Sequence, residues 1–187
     1  APAQASQDGL LKIFGGWGNR QQTIVARDSG RTPDQLASRR YQVRTGLSAN
    51  SPFARRTVHV QTNHAPGTVI IDTNRRYLYL VQPGGKAVRY GVGVGRAGFE
   101  WQGIHKISRK QEWPDWRPPP EMIQRQPYLP RFMAGGPGNP PGARALYLGT
   151  TIYRIHGTNQ PQTIGHAMSS GCFRMINPDA GSYTPRT

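Results

Sequence analysis

Regular alternation of apolar and polar residues starts near Pro66-Gly67. Thr68-Val69-Ile70-Ile71-Asp72 is a short β-branched run, and Asp72-Thr73-Asn74-Arg75 reads as a turn. Tyr77-Leu78-Tyr79-Leu80-Val81 forms a second strand, Pro83-Gly84-Gly85 the next turn, and Ala87 to Val94 a third strand. Gly91, Gly93 and Gly95 allow bends or close backbone approach in that third strand. Three strands joined by tight turns predict an antiparallel meander. Ile104 to Ser108 is a candidate fourth strand, and Ala145 to His156 returns to strand character. With period two, Ile152, Arg154 and His156 share one face of that last segment, and His156 ends it.

Between these segments, residues 113–141 are dense in Pro, Gly and aromatic side chains. A connection this long with little regular structure is a functional lid or a linker. Trp113, Trp116, Met122, Tyr128 and Phe132 favour an ordered lid over a cleft, with one helical turn seeded at Pro118–Met122. Residues 1–62 carry little periodicity. Leu10 to Phe14 is an apolar patch broken by Gly15-Gly16, and Thr32-Pro33 could open a helical turn. The expected division is a flexible, low-complexity segment over 1–62 and a mainly β, sandwich-like domain with little helix over 63–187.

Composition narrows the setting. Of the 187 residues only 35% are hydrophobic, and 23 Gly with 17 Pro imply many turns. No apolar run approaches the roughly 20 residues of a membrane-spanning helix. The opening Ala1-Pro2-Ala3-Gln4-Ala5 is what removal of a secretory signal would leave. Net charge is +15, carried by arginine: the only lysines are Lys12, Lys86, Lys106 and Lys110. This balance favours polyanionic surroundings. The charge is spread along the chain in pairs such as Arg39-Arg40 and Arg55-Arg56, without the basic runs or recognition motifs of a nucleic-acid binder.

Cys172 is the single cysteine, so it has no intrachain disulfide partner, and its own reactivity is the leading reason for its presence. Ser169-Ser170-Gly171 precedes it and Arg174 follows. An upstream imidazole could take the thiol proton and form a thiolate–imidazolium pair. His156 is the first candidate base and His166 the alternative. The Gly171 and Cys172 amides are natural oxyanion donors. His59, His64 and His105 read as surface or satisfied polar residues, and the histidines lack metal-ligand spacing, so neither metal nor cofactor is expected. A papain-like hydrolase places its cysteine before its histidine, the reverse of the order here.

His156-Gly157-Thr158-Asn159, followed by Ser169-Ser170-Gly171-Cys172-Phe173-Arg174-Met175 and Asn177-Pro178-Asp179, resembles the signature of the L,D-transpeptidase catalytic domain of the YkuD type. The likeness extends over about residues 66–180. It implies a bacterial envelope enzyme, periplasmic or otherwise exported. Cys172 would take the acyl group of a peptidoglycan tetrapeptide stem as a thioester, release D-Ala, and pass it to an amine. That amine would belong to a second stem or to an outer-membrane protein; water would give carboxypeptidase activity. The resemblance makes His156 the general base, Gly171 an oxyanion donor, and the Ser170 backbone carbonyl the group that orients the imidazole. Arg174 is a structural or carboxylate-binding residue, and Gly157, Thr158 and Asn159 join the substrate-binding set. Two departures stand out. Many members have His at the place of Ser170, and the family's closing helix and strand are expected to be shortened here, with Pro185 hostile to both. The rival to an enzyme is a non-catalytic, basic wall-binding module.

Overall fold

The computed structural model describes residues 12–15, 22–27 and 47–183. The meander is present as β4 (Thr68–Asp72), β5 (Tyr77–Gln82) and β6 (Lys86–Gly91), antiparallel throughout. Alternation explains its register. Val69 and Ile71 pair with Leu80 and Leu78, and all four point into the core. Arg76 adopts a positive φ of 62° in the first turn, and Gly84 and Gly85 take φ of 73° and 67° in the second.

Three further strands join this sheet, and all come from the stretch read as a flexible leader. β1 (Lys12–Gly15) pairs with β2 (Gln22–Arg27), which pairs with β4; β3 (Arg56–His59) pairs with β6 at the other edge. The strand order is β1-β2-β4-β5-β6-β3. The sheet therefore crosses the expected boundary at residue 62. These strands show little alternation in the sequence, and β2 and β3 find their pairing partners in the meander while β1 pairs with β2. The turn expected at Thr32 lies outside the described residues.

β7 (Val94–Gly95) follows the meander, and β8 (Ile107–Glu112), β9 (Arg144–Leu148) and β10 (Arg154–His156) build a second sheet. β8 lies three residues later than the predicted Ile104–Ser108 strand, and Ile104 is exposed. The expected single strand from Ala145 to His156 is a hairpin instead. Gly149 turns at φ 56°, and the Thr151 hydroxyl donates to the Leu148 carbonyl at 2.7 Å while accepting the Tyr153 amide. Ile152 thus sits exposed in the turn, off the strand face predicted for it. β11 (Ala167–Ser169) pairs with β7, and β12 (Phe173–Arg174) closes the second sheet in the order β12-β10-β9-β8.

Leu146, Leu148, Ile155 and Phe173 from this sheet meet Val69, Ile71, Leu78, Leu80 and Tyr90 from the first in one apolar cluster. Each large aliphatic side chain so buried contributes about 1.5–3 kcal/mol. The fold is mainly β, as expected. α-Helix is confined to α1 (Pro120–Arg125) and α2 (Asn177–Tyr183) among the described residues, with a 3-10 turn at Pro161–Thr163. α2 stands where the closing helix was expected to be shortened. Pro178 tolerates a first turn because no intrahelical partner awaits its nitrogen, and Asp179 complements the helix N-terminus. Ala180 is fully buried against the core. Among the described residues, no helix is long and apolar enough to cross a membrane.

Candidate active site

β10 and β12 run parallel, with Ile155 opposite Phe173 and His156 opposite Arg174. Ile155 and Phe173 are buried in the core, so alternation turns Arg154, His156, Cys172 and Arg174 to the opposite face. Cys172, the residue before β12, then lies diagonally across from His156 on that face. Both line one pocket of about 320 Å³. His166 is exposed and is not among the lining residues, and neither are His59, His64 and His105. Of the described histidines, only His156 lines this pocket.

The imidazole is held from its own strand end. Nδ1 lies 2.5 Å from the Gly157 carbonyl oxygen, and the Pro141 carbonyl also bonds the ring. A carbonyl only accepts, so Nδ1 carries the proton toward Gly157. The Ser170 carbonyl, expected in this part, makes no hydrogen bond to His156 among the described residues; Gly157 takes its place. Gly157 is a glycine because a Cβ there would strike Asn177 Oδ1. That oxygen accepts the amides of Ala143 at 2.9 Å and Thr158 at 3.1 Å, fastening the β9 and β10 ends together.

The cysteine loop is braced by side chains distant in sequence. The Ser169 hydroxyl donates to the Cys172 carbonyl at 2.6 Å and accepts the Gly171 amide at 3.1 Å. The Gly171 N–H, expected as an oxyanion donor, meets the Ser169 hydroxyl inside the loop. Gly171 itself has φ 104°, and a Cβ there would collide with the Tyr153 ring. Trp101 stacks on Tyr153 with centroids 4.3 Å apart, and its Nε1–H donates to the Gly171 carbonyl at 2.7 Å. In a trans peptide the carbonyl and the following amide point in opposite directions. Trp101, by holding the Gly171 carbonyl, aims the Cys172 N–H away from itself.

Electrostatics define the resting state. Burial lowers the His156 pKa to about 4; the Gly157 carbonyl opposes the shift, while the Arg174 and Arg154 charges add to it. Burial pushes the Cys172 thiol up, against a backbone hydrogen bond from Arg154 and the charges of Arg154 and Arg174. At neutral pH the pair is therefore a neutral imidazole and a protonated thiol rather than the ion pair that composition alone suggested. A neutral imidazole is the form that accepts a proton.

Arg96, Arg125, Arg154 and Arg174 all line the pocket, and no acidic residue does. Thr158 is buried with its amide on Asn177; Asn159 is exposed and donates to the Gly138 carbonyl at 2.9 Å. The 113–141 segment borders the pocket through Trp116, Pro119, Met122, Pro140 and Pro141. It is tied down by a two-way backbone pairing of Trp116 with Met133 and by buried Asn139, whose Nδ2 donates to the Met133 and Ala134 carbonyls. Trp113, Tyr128 and Phe132 do not line the pocket, and Tyr128 is exposed. Sequence reasoning quoted Asn177 only within a motif and missed Trp101, Tyr153, Arg96, Arg125 and Arg154. Of these, only Arg154 carried a signal, its period-two relation to His156.

The L,D-transpeptidase catalytic-domain model (YkuD) matches residues 66–186. The probable L,D-transpeptidase ErfK/SrfK of Escherichia coli (strain K12) is 38% identical over 120 residues, covering 59% of this chain and 38% of that protein. The probable L,D-transpeptidase YbiS of the same organism is 34% identical over 122 residues, covering 60% and 39%. The chain thus spans a little over a third of the length of these curated relatives. A crystal structure of a probable carnitine operon oxidoreductase from Brucella melitensis superposes with a TM-score of 0.52 at 49% identity, covering 70% of this chain and 86% of that one. Gly93, Gly95 and Gly98 do have the spacing of a dinucleotide loop. Here, however, that stretch leaves β7 for a turn and irregular backbone, and no helix begins between Gly95 and Pro120. The strand–loop–helix unit that cradles a pyrophosphate is not formed.

Proposed function

This chain belongs to the L,D-transpeptidase catalytic-domain family, and from that premise we propose that it is a cysteine-dependent acyltransferase of the bacterial cell envelope acting on peptidoglycan stem peptides. The observation that carries the reading is the shared pocket wall on which the Cys172 thiol and the His156 imidazole both open.

The residues support the following course. Cys172 Sγ attacks the carbonyl of the third, diaminoacyl residue of a tetrapeptide stem as its proton passes to His156 Nε2. Negative charge gathers on the carbonyl oxygen. The Cys172 N–H, oriented through the Gly171–Trp101 bond, is the loop donor for it, since the Gly171 N–H serves Ser169. The intermediate collapses, the C–N bond to D-Ala breaks, and the imidazolium returns its proton to the leaving amine. A thioester remains on Cys172. An incoming amine then attacks it, gives a proton to His156, and expels the sulfur, which takes that proton back. One amide is exchanged for another, so atoms and charge balance with no further reactant. Half-buried Arg154 and Arg174 favour the developing negative charge on sulfur and oxygen, and burial strengthens that effect.

Incubation with tetrapeptide stems and with sacculi, followed by mass spectrometry, tests this. A stem acyl adduct on Cys172, release of D-Ala and new cross-linked products are expected, all absent from Cys172→Ala. The acceptor is read from the product: a second stem, a protein amine or water. An unmodified Cys172 with unchanged stems would refute the proposal and favour the wall-binding alternative.

A further inference from the structure

Two of the pocket's arginines stand at its rim and are not needed for the chemistry just described. Arg96 follows β7, and its amide is bound by the Ser169 carbonyl at 3.0 Å, which fixes it beside the cysteine loop. Arg125 ends α1 and reaches the same loop from the other side, with Nη2 3.5 Å from Ser170 Oγ. Both guanidinium groups lie over one ring: Cζ is 4.5 Å from the Phe99 centroid for Arg96 and 4.8 Å for Arg125. Both are exposed, and neither forms an ion pair with a carboxylate among the described residues. The acidic side chains on the same two segments do not line the pocket. Glu100 Oε2 accepts the Gly98 amide at 2.7 Å, and Glu121 sits in the first turn of α1.

Two like charges gathered on one aromatic ring repel each other, and the arrangement becomes favourable when an anion bridges them. The Phe99 ring lies against both guanidinium groups, and planar, forked donors match a carboxylate. A contact of 3.5 Å to Ser170 is at the outer limit of a hydrogen bond, so Arg125 gives up little by turning to a ligand. Ser170 is two residues from Cys172, so at most about 7 Å separates their backbones. An anion held there lies about one peptide residue from the reacting carbonyl.

We propose that Arg96 and Arg125 form a rim subsite for a free carboxylate of the acyl donor, so that the pocket prefers stem peptides carrying free carboxylates over the same stems with those groups amidated. The inference rests on the proposed acyl transfer for its biological meaning, but the subsite is testable by binding alone.

The experiment uses two donors that differ only in whether the carboxylates flanking the scissile bond are acids or amides. Acylation of Cys172 is followed by mass spectrometry, and binding to the Cys172→Ala and Cys172→Ser proteins by calorimetry. The acid donor is expected to react and bind about five- to tenfold better, in line with two exposed charge pairs. The preference shrinks as salt rises, because exposed charges are screened. In Arg96→Gln/Arg125→Gln the ratio between donors falls toward one. A ratio is unaffected by a general loss of folded protein. Equal handling of the two donors by the unsubstituted chain, or a preference surviving in the double variant, overturns the subsite while leaving acyl transfer standing. A charge preference in binding with no acylation of Cys172 upholds the subsite and overturns acyl transfer.

Discussion

Trp101→Phe tests the link between a distant side chain and the oxyanion donor. The substitution removes the Nε1–H that meets the Gly171 carbonyl at 2.7 Å but keeps an aromatic ring against Tyr153 and Phe173. Losing the partner of a half-buried carbonyl costs about 1–3 kcal/mol, part of it in folding stability. Removing an oxyanion donor outright costs about 2.7–4 kcal/mol in the transition state. Here the Cys172 N–H is loosened rather than deleted, so about 1–1.5 kcal/mol is expected, close to a tenfold drop in acylation rate. The assay pairs two reactions of one thiol. Acylation by a stem peptide or an activated ester builds charge on a carbonyl oxygen, whereas alkylation by iodoacetamide displaces iodide and builds none there. Acylation should fall about tenfold and alkylation change less than about twofold. If the two rates fall together, Trp101 merely supports the fold; if neither falls, its bond does not orient the donor. Either result refutes the reasoning.

The acid limb of the acylation rate should lie near pH 4, with little loss between pH 5 and 7, because the His156 pKa is lowered to about 4 and the imidazole stays neutral above it; a pH–rate profile locates the limb. The same shift bears on stability: the unfolded chain takes up a proton near pH 6.5 and the folded one does not until about pH 4. His156 therefore removes up to about 3 kcal/mol as pH falls through that window. Asp179 acts with the opposite sign. Burial raises its pKa to about 6, so the folded state protonates first and gains stability as pH falls from there toward 3.8. Asp179→Asn should accordingly raise the melting temperature at pH 7.5, by the equivalent of about 1–2 kcal/mol after loss of the 3.9 Å contact to Arg55, and have no effect at pH 4. Gly171→Ala should destabilise the chain by more than about 2 kcal/mol and abolish acylation, since φ 104° and the Tyr153 ring both oppose a Cβ; denaturant unfolding and the acylation assay check it. Asn177→Ala strands the Ala143 and Thr158 amides and should cost about 2–4 kcal/mol, read in the same unfolding experiment.

Local chemistry was sufficient for a definite part of this protein. Alternation and turn residues place β4, β5 and β6, because a half-buried strand must repeat every two residues and Gly84 and Gly85 tolerate the turn's positive φ. An unpaired thiol and a strand-end imidazole stand out by residue type alone. Where signals were local but were weighed differently, the structure corrects them. Pro178 and Asp179 mark a helix start that the later Pro185 seemed to forbid, and Gly149 with Thr151 marks the hairpin inside an apparently continuous strand. Other features arise from partners far apart in the chain. β2 and β3 pair with the outer strands of the meander and β1 with β2, Asn177 ties the ends of β9 and β10 together, and Trp101 reaches Gly171 across 70 positions. Hydrogen-bond partners depend on distance and direction, which residue type does not encode. Composition thus selects the reactive atoms, and packing decides which carbonyl holds the imidazole and which amide faces the substrate.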